Sequence, residues 1–152
     1  MRRVDRAIGR KGALEILREA DYGILSISPS KGGVYGVPLS YSLSKDEAAI
    51  YFHSAREGRK LDIIAENNRA SFAVVGKSEV IAEKFSMRYE SAIVKGYVEE
   101  VFGPEKQLAL EGLLQKYSPH YLAEGRRYIQ KNYNLTAVLK LLIQEISGKA
   151  RQ

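Results

Sequence analysis

The stretch Tyr22-Gly23-Ile24-Leu25-Ser26-Ile27-Ser28, then Pro29-Ser30-Lys31-Gly32-Gly33, then Val34-Tyr35-Gly36-Val37-Pro38-Leu39-Ser40-Tyr41-Ser42-Leu43, decides the fold. Apolar residues alternate with small or polar ones on both sides of a Pro-, Ser- and Gly-rich turn, which is the chemistry of a β-hairpin. Just upstream the period is different. Ala13, Ile16, Leu17 and Ala20 fall at the i, i+3, i+4, i+7 spacing of one helical face, so a helix is predicted over 11–21. Downstream, the polar turn Ser44–Glu47 leads into a third strand, Ala48–His53. Strands joined by such short turns make an antiparallel meander.

The rest of the chain extends this pattern. A short helix is predicted over Gly58–Glu66, with Leu61, Ile64 and Ala65 on its buried side and Asn67-Asn68 stopping it. Ser71–Val75 is apolar enough to read as a strand covered on both faces. After a polar segment comes a long strand, Glu90–Val101, in which Ala92, Val94, Gly96 and Val98 alternate with Ile93, Lys95, Tyr97 and Glu99. Gly103-Pro104 ends it. The helix Glu105–Tyr117 carries Leu110, Leu113, Leu114 and Tyr117 on one side, Ser118-Pro119 breaks it, and a shorter helical piece spans Glu124–Tyr133. Thr136–Ile146 reads as the last strand, followed by a basic tail, Gly148-Lys149-Ala150-Arg151. With no repeat or linker, residues 1–152 read as one domain. Six strands with hairpins, and helices outside them, predict a mainly β fold, a small antiparallel barrel rather than a doubly wound sheet.

Composition narrows the function classes. Hydrophobic residues make up 45% and charged residues 28%, an ordinary globular balance. No apolar stretch reaches the roughly 20 residues of a membrane helix, and Met1-Arg2-Arg3-Val4-Asp5-Arg6 is not followed by the apolar run of a signal peptide. The chain has no cysteine, and its two histidines, His53 and His120, are far apart, so neither a disulfide framework nor a structural metal site is expected. The expected compartment is the cytoplasm, without membrane attachment. A net charge of +6 suits an anionic partner. The densest basic run, Arg2, Arg3, Arg6, Arg10 and Lys11, reads as a nucleic-acid arm or as a solvated helix face and frayed terminus. Acidic residues interspersed almost everywhere favour the second reading.

Two features carry the chemistry. Pro38 lies inside a strand, and proline donates no backbone hydrogen bond, so it belongs at an edge or where pairing is interrupted. Backbone groups left free there suit a flat heterocycle with alternating donors and acceptors; the plainer reading is an edge strand with a bend. The second feature is His53-Ser54-Ala55-Arg56-Glu57-Gly58-Arg59-Lys60, where a strand ends, a loop follows and a helix begins. A helix start presents unpaired N–H groups to an anion. Ser54 adds a hydroxyl, Arg59 and Lys60 add cations, and Gly58 allows close approach. A phosphate site and an exposed, solvated first turn both fit these residues.

The segments Gly36–Tyr41, Ile50–Ala55, Gly58-Arg59-Lys60 and Phe85-Ser86-Met87-Arg88-Tyr89-Glu90-Ser91 through Gly96 resemble, in order and spacing, the pyridoxamine-phosphate-oxidase-like flavoproteins. The likeness is greatest to the branch containing the nitroimidazole-resistance proteins and runs from the first helix to Lys149. It implies a six-stranded split β-barrel, a homodimer, and FMN sites built from both subunits. By position, Val37, Pro38, Leu39, Ser40 and Tyr41 would line the flavin ring, largely through backbone atoms. Phe52, His53 and Ser54 would flank the ribityl chain and ring edge, and Arg59 and Lys60 would hold the phosphate. Ser91 would reach the flavin from a neighbouring strand, and Lys149 would contact the cofactor of the same or the other subunit. Gly36 and Tyr41 stand where authentic pyridoxamine phosphate oxidases carry arginine and lysine, and the chain has no tryptophan, so vitamin B6 oxidation is not expected.

The resemblance implies an FMN-dependent oxidoreductase that takes hydride from NAD(P)H and reduces a small acceptor, a nitroaromatic or nitroimidazole compound among the candidates. Its rival is a non-catalytic holder of a flavin, haem or deazaflavin on the same fold. A third reading, a basic nucleic-acid-binding protein, ranks last for want of a dedicated motif. His53 is the candidate proton donor, with a bonded wall residue as the equal alternative. His120 reads as surface, Arg88 and Glu90 as a structural ion pair, and Tyr41, Phe52 and Tyr89 as core or interface sooner than stacking platforms.

Overall fold

Helix α1 (Arg10–Glu19) forms where the periodicity predicts it and buries Ala13, Leu14, Ile16 and Leu17. The computed structural model describes residues 3–151, so Arg2 of the basic run lies outside the described residues. The strands are β1 (Ala7–Ile8), β2 (Gly23–Ile27), β3 (Tyr35–Leu39), β4 (Ser42–Leu43), β5 (Ala49–Ala55), β6 (Arg69–Ile81), β7 (Ser86–Val101) and β8 (Thr136–Arg151). They form one antiparallel sheet in the order β3-β2-β6-β7-β8-β5-β4, with β1 added alongside the end of β8. The two ends of that order, β3 and β4, are consecutive in the chain and separated only by Ser40 and Tyr41. The ring of strands therefore closes through the covalent chain and not through hydrogen bonds. It is a split barrel, as the resemblance implies, with its split at Ser40–Tyr41. The described residues form eight strands and not six, because the short β1 adds to β8 and the second predicted strand divides into β3 and β4.

The barrel interior is an aromatic and aliphatic core. Phe72 meets Tyr41 and Phe52 edge to face, at centroid distances of 4.9 and 5.0 Å, and all three are fully buried. Helix α2 (Arg59–Glu66) packs Leu61, Ile63 and Ile64 against this core. Helices α3 (Gly103–Tyr117) and α4 (Leu122–Asn132) lie outside the barrel, where Ala109, Leu110 and Leu113 pack on Val101 and Val138. Tyr51 and Lys140, from β5 and β8, both bond the Glu105 carboxylate, at 2.7 and 2.6 Å, and tie α3 down.

Several expectations are corrected. The second predicted strand, Val34–Leu43, is two strands that pair with different partners. Ser71–Val75 is covered on one face only: Phe72 and Val74 point inward and Val75 is 64% exposed. In α2 it is Ile63 that is buried, while Ala65 faces out, because the helix lies over the barrel on the Ile63 side. The polar segment before Glu90, given no element from its pattern, is regular structure. It is a hairpin arm in which Ser78–Ile81 pair with Tyr89–Ser86, and Phe85 takes a left-handed conformation (φ 48°) beside the tip. Arg88 accordingly meets Glu79 across that ladder, at 2.8 Å, and not Glu90. The basic tail is the end of β8, with Lys149 opposite both Ser91 and Ala7. Of the basic run, Arg6 belongs to a 3₁₀ turn, Val4–Arg6, that leads into β1. Among the described residues no helix is long and apolar enough to cross a membrane.

Candidate functional site

The junction between β5 and α2 is built by strand alternation. Successive side chains of β5 point to opposite faces, so Phe52 and Ser54 enter the barrel and His53 faces outward. The Ser54 hydroxyl, buried, donates to its neighbour's carbonyl, Ala55 O, at 2.8 Å. It is spent on the backbone. After Ala55 the chain turns through Gly58, whose φ of 139° is open to glycine and strained for other residues, and whose Cβ side faces empty space. Arg59 and Lys60 open α2 there, with no carboxylate paired to either among the described residues. Arg59 stacks over the Tyr35 ring, 5.1 Å from its centroid. Burial lowers the Lys60 ammonium below the usual lysine range. The same effect, with Lys60 nearby, lowers His53 and favours its neutral imidazole. Arg56 turns away and donates to Asn134 O at 3.2 Å.

The strand break forms the adjoining wall. Pro38 sits on β3 in register with Ile24, and β3 is bonded on one edge only, to β2. The interruption itself falls at Ser40–Tyr41 and is filled by Tyr117, which the helical period places on the same side as Leu110, Leu113 and Leu114. The Tyr117 hydroxyl, from the end of α3, accepts from Tyr41 N at 2.9 Å. Its one proton lies between the carbonyls of Asp21 (2.5 Å) and Tyr41 (3.0 Å). The Tyr41 side chain runs inward and donates to Leu17 O at 2.7 Å, one of the orphan carbonyls ending α1. Next to it, Lys116 lays its Nζ 3.7 Å above the Tyr41 ring with no hydrogen-bond partner among the described residues. Tyr41 and Phe52 therefore stack on core rings, and neither presents a ring face to a ligand.

The structure seats Arg59 over Tyr35 of β3, sets Lys60 near His53 and has Ser40 and His53 border one cleft, while Ser91 and Lys149 pair with each other on β7 and β8. His53 is opposite Val138 on β8, whereas Ser91 is opposite Lys149, eleven residues further along the same strand. Along β8 that is about 36 Å of chain, but across the sheet Leu39 is in register, through Gly23 and Val74, with Ala92 beside Ser91. Tyr89 belongs to the Ser91 end of β7, with Arg6 3.5 Å from its hydroxyl. The intervening outer face carries a row in direct register, Pro38, Ile24, Ala73 and Ile93, with Ile24 and Ile93 exposed. His120 is exposed in the turn between α3 and α4. Among the described residues no group of three or more metal-ligating side chains occurs.

A split barrel with this order of elements is shared with known proteins. Residues 10–150 match the family model described as pyridoxamine 5'-phosphate oxidase. No curated protein matches the chain in sequence. Among solved structures, a protein of Bacteroides thetaiotaomicron provisionally assigned to 5-nitroimidazole antibiotic resistance is similar at 25% identity and a TM-score of 0.76, over 94% of this chain and 85% of that one. A flavocytochrome from Azotobacter vinelandii has the same fold at 20% identity and a TM-score of 0.81, over 100% of this chain and 72% of its own. So does an FAD and heme binding protein from Mycobacterium smegmatis, at 21% identity and a TM-score of 0.81, over 95% and 72%.

Proposed function

The chain belongs to the pyridoxamine 5'-phosphate oxidase family, and from that premise we propose that it is an FMN-dependent oxidoreductase whose sites are completed between two copies of the chain. The observation that carries this reading is the unpaired cationic pair Arg59 and Lys60 at an open helix start, beside the one-sided edge of β3. A doubly negative ester group would supply the compensation that two cations at the positive end of a helix lack. The residues fit the group. Arg59 and Lys60 would hold the phosphate, and the edge of β3, where Pro38 offers only a carbonyl, would meet a heterocycle's donors and acceptors. Bound flavin supplies the hydride and electron chemistry. His53 bounds the site on its outer side and, in its neutral form, offers one N–H and one acceptor nitrogen.

Ser91 and Lys149 lie eleven residues along β8 from the position opposite His53, and in this reading they act across a site shared by two chains. The cofactor they would contact is then the partner's, and the apolar row Pro38-Ile24-Ala73-Ile93 offers a surface for that pairing. The donor in this reading is NAD(P)H and the acceptor a small nitroaromatic; the Bacteroides relative is consistent with the second. Neither arginine nor lysine stands at Gly36 or Tyr41, which speaks against a phosphorylated B6 substrate.

The double variant Arg59→Ala, Lys60→Ala tests it. Each charge-assisted contact is worth about 1.5–3 kcal/mol, so the FMN dissociation constant should rise by at least about 100-fold. Unchanged FMN affinity in the folded variant would refute the site. NAD(P)H consumption stimulated by a nitroimidazole tests the activity; retention of FMN without turnover would leave a flavin holder and not an enzyme.

A further inference from the structure

We propose that the cleft between the α3–α4 pair and the outer face of β5 and β8 binds an uncharged, flat aromatic molecule, a quinone or nitroarene, with an oxygen of that molecule turned toward His53. The cleft has a volume of about 530 Å³, in the range that takes small ligands, and its walls include Leu110, Leu113, Leu114, Tyr128 and Ile129. No aspartate, glutamate, lysine or arginine lines it. In a chain with 28% charged residues that is unusual: the four other clefts of 400–590 Å³ each carry at least two charged side chains. A cleft without a counter-charge penalises an ionised ligand and favours a neutral apolar one.

The polar groups at its inner end narrow the class further. Asn132 donates its amide to Tyr128 O at 2.9 Å, and the Thr136 hydroxyl donates to Asn132 O at 3.0 Å. The Tyr117 hydroxyl is held by Asp21 and Tyr41. Those groups are occupied. The His53 ring makes no hydrogen bond with the described residues, so its N–H is a donor that a carbonyl or nitro oxygen would meet, with Ser40 and Ser118, each bearing a hydroxyl, also lining the cleft. The walls are set by close packing: a Cβ at Gly125 would lie 2.0 Å from Leu114 Cδ1, so any larger residue there must push the Leu114 side chain aside. Because His53 and Ser40 border both this cleft and the proposed flavin site, the role of the cleft as an acceptor seat rests on the flavin reading; binding itself does not.

Equilibrium dialysis of the full chain, with and without saturating FMN, tests this using 1,4-naphthoquinone and its 2-sulfonate anion. The neutral quinone should bind saturably, one per chain, and the sulfonate at least tenfold more weakly. Ile129→Glu, which places a charge in the wall, should weaken quinone binding at least tenfold with the circular dichroism spectrum unchanged. Equal affinity for the two probes overturns the proposal, as does indifference to Ile129→Glu or one-for-one displacement of FMN by the quinone. If Ile129→Glu does not fold, the two probes on the unmodified chain decide. Quinone binding by a chain that takes up no FMN would uphold the cleft while sinking the flavin reading.

Discussion

Tyr117→Phe removes a single oxygen, and the structure fixes what that oxygen does. It accepts from Tyr41 N at 2.9 Å and lies 2.5 and 3.0 Å from the carbonyls of Asp21 and Tyr41. Tyr41 is fully buried, so its N–H loses its hydrogen-bond partner once the hydroxyl is gone. An orphaned buried donor costs about 1–3 kcal/mol. The two carbonyls, each with a second lone pair, add less. A loss of about 2 kcal/mol is expected, and in a domain of this size each kcal/mol moves Tm by about 2–4 °C, so Tm should fall by about 4–8 °C. Circular dichroism melts and urea titrations measure the stability. Amide exchange locates it, because the Tyr41 amide should exchange slowly in the parent and fast in the variant. A Tm within a degree of the parent, with the Tyr41 amide still protected, would mean that Tyr117 does not close the split.

Two further expectations come from other parts of the fold. Burial pushes the Lys116 ammonium down to about 8, so between that pH and the ordinary lysine range near 10.5 the unfolded chain binds more protons than the folded one. The contribution of this group to stability therefore rises with pH across that window, and Lys116→Met should raise stability at pH 7 and flatten the rise, as unfolding titrations from pH 7 to 10.5 would show. Gly96→Ala should cost at least about 3 kcal/mol, because a Cβ there would lie 1.7 Å from the Leu142 carbonyl across the β7–β8 bulge; a parent-like urea midpoint would contradict the packing.

The hairpin 22–39 and helix α1 were legible because their periods are local properties of the chain. The split was not, since Ser40 and Tyr41 carry no break signal and differ from their neighbours only in what lies across from them. The hairpin arm escaped for a related reason: Lys77, Ser78, Glu79 and Val80 are exposed on both faces, so no alternation marks them as strand. Lys149 read as tail because a glycine and two basic residues look like solvent-facing chain, yet β7 and β1 pair with it. In the candidate site, Arg59 and Lys60 were readable from their place after Gly58. The opposite orientations of Phe52 and Ser54 against His53 were also readable, because strand alternation alone requires them. Tyr117 and Lys116 were not. They meet Tyr41 across more than seventy residues of sequence, and only the seating of α3 on the barrel brings them there.

Native mass spectrometry of the protein purified from flavin-replete cells, read together with its absorption spectrum, tests the cationic junction and the two-chain site at once. The account expects a dimer carrying two FMN molecules and a flavin absorption profile. A colourless monomer that takes up no FMN would contradict it.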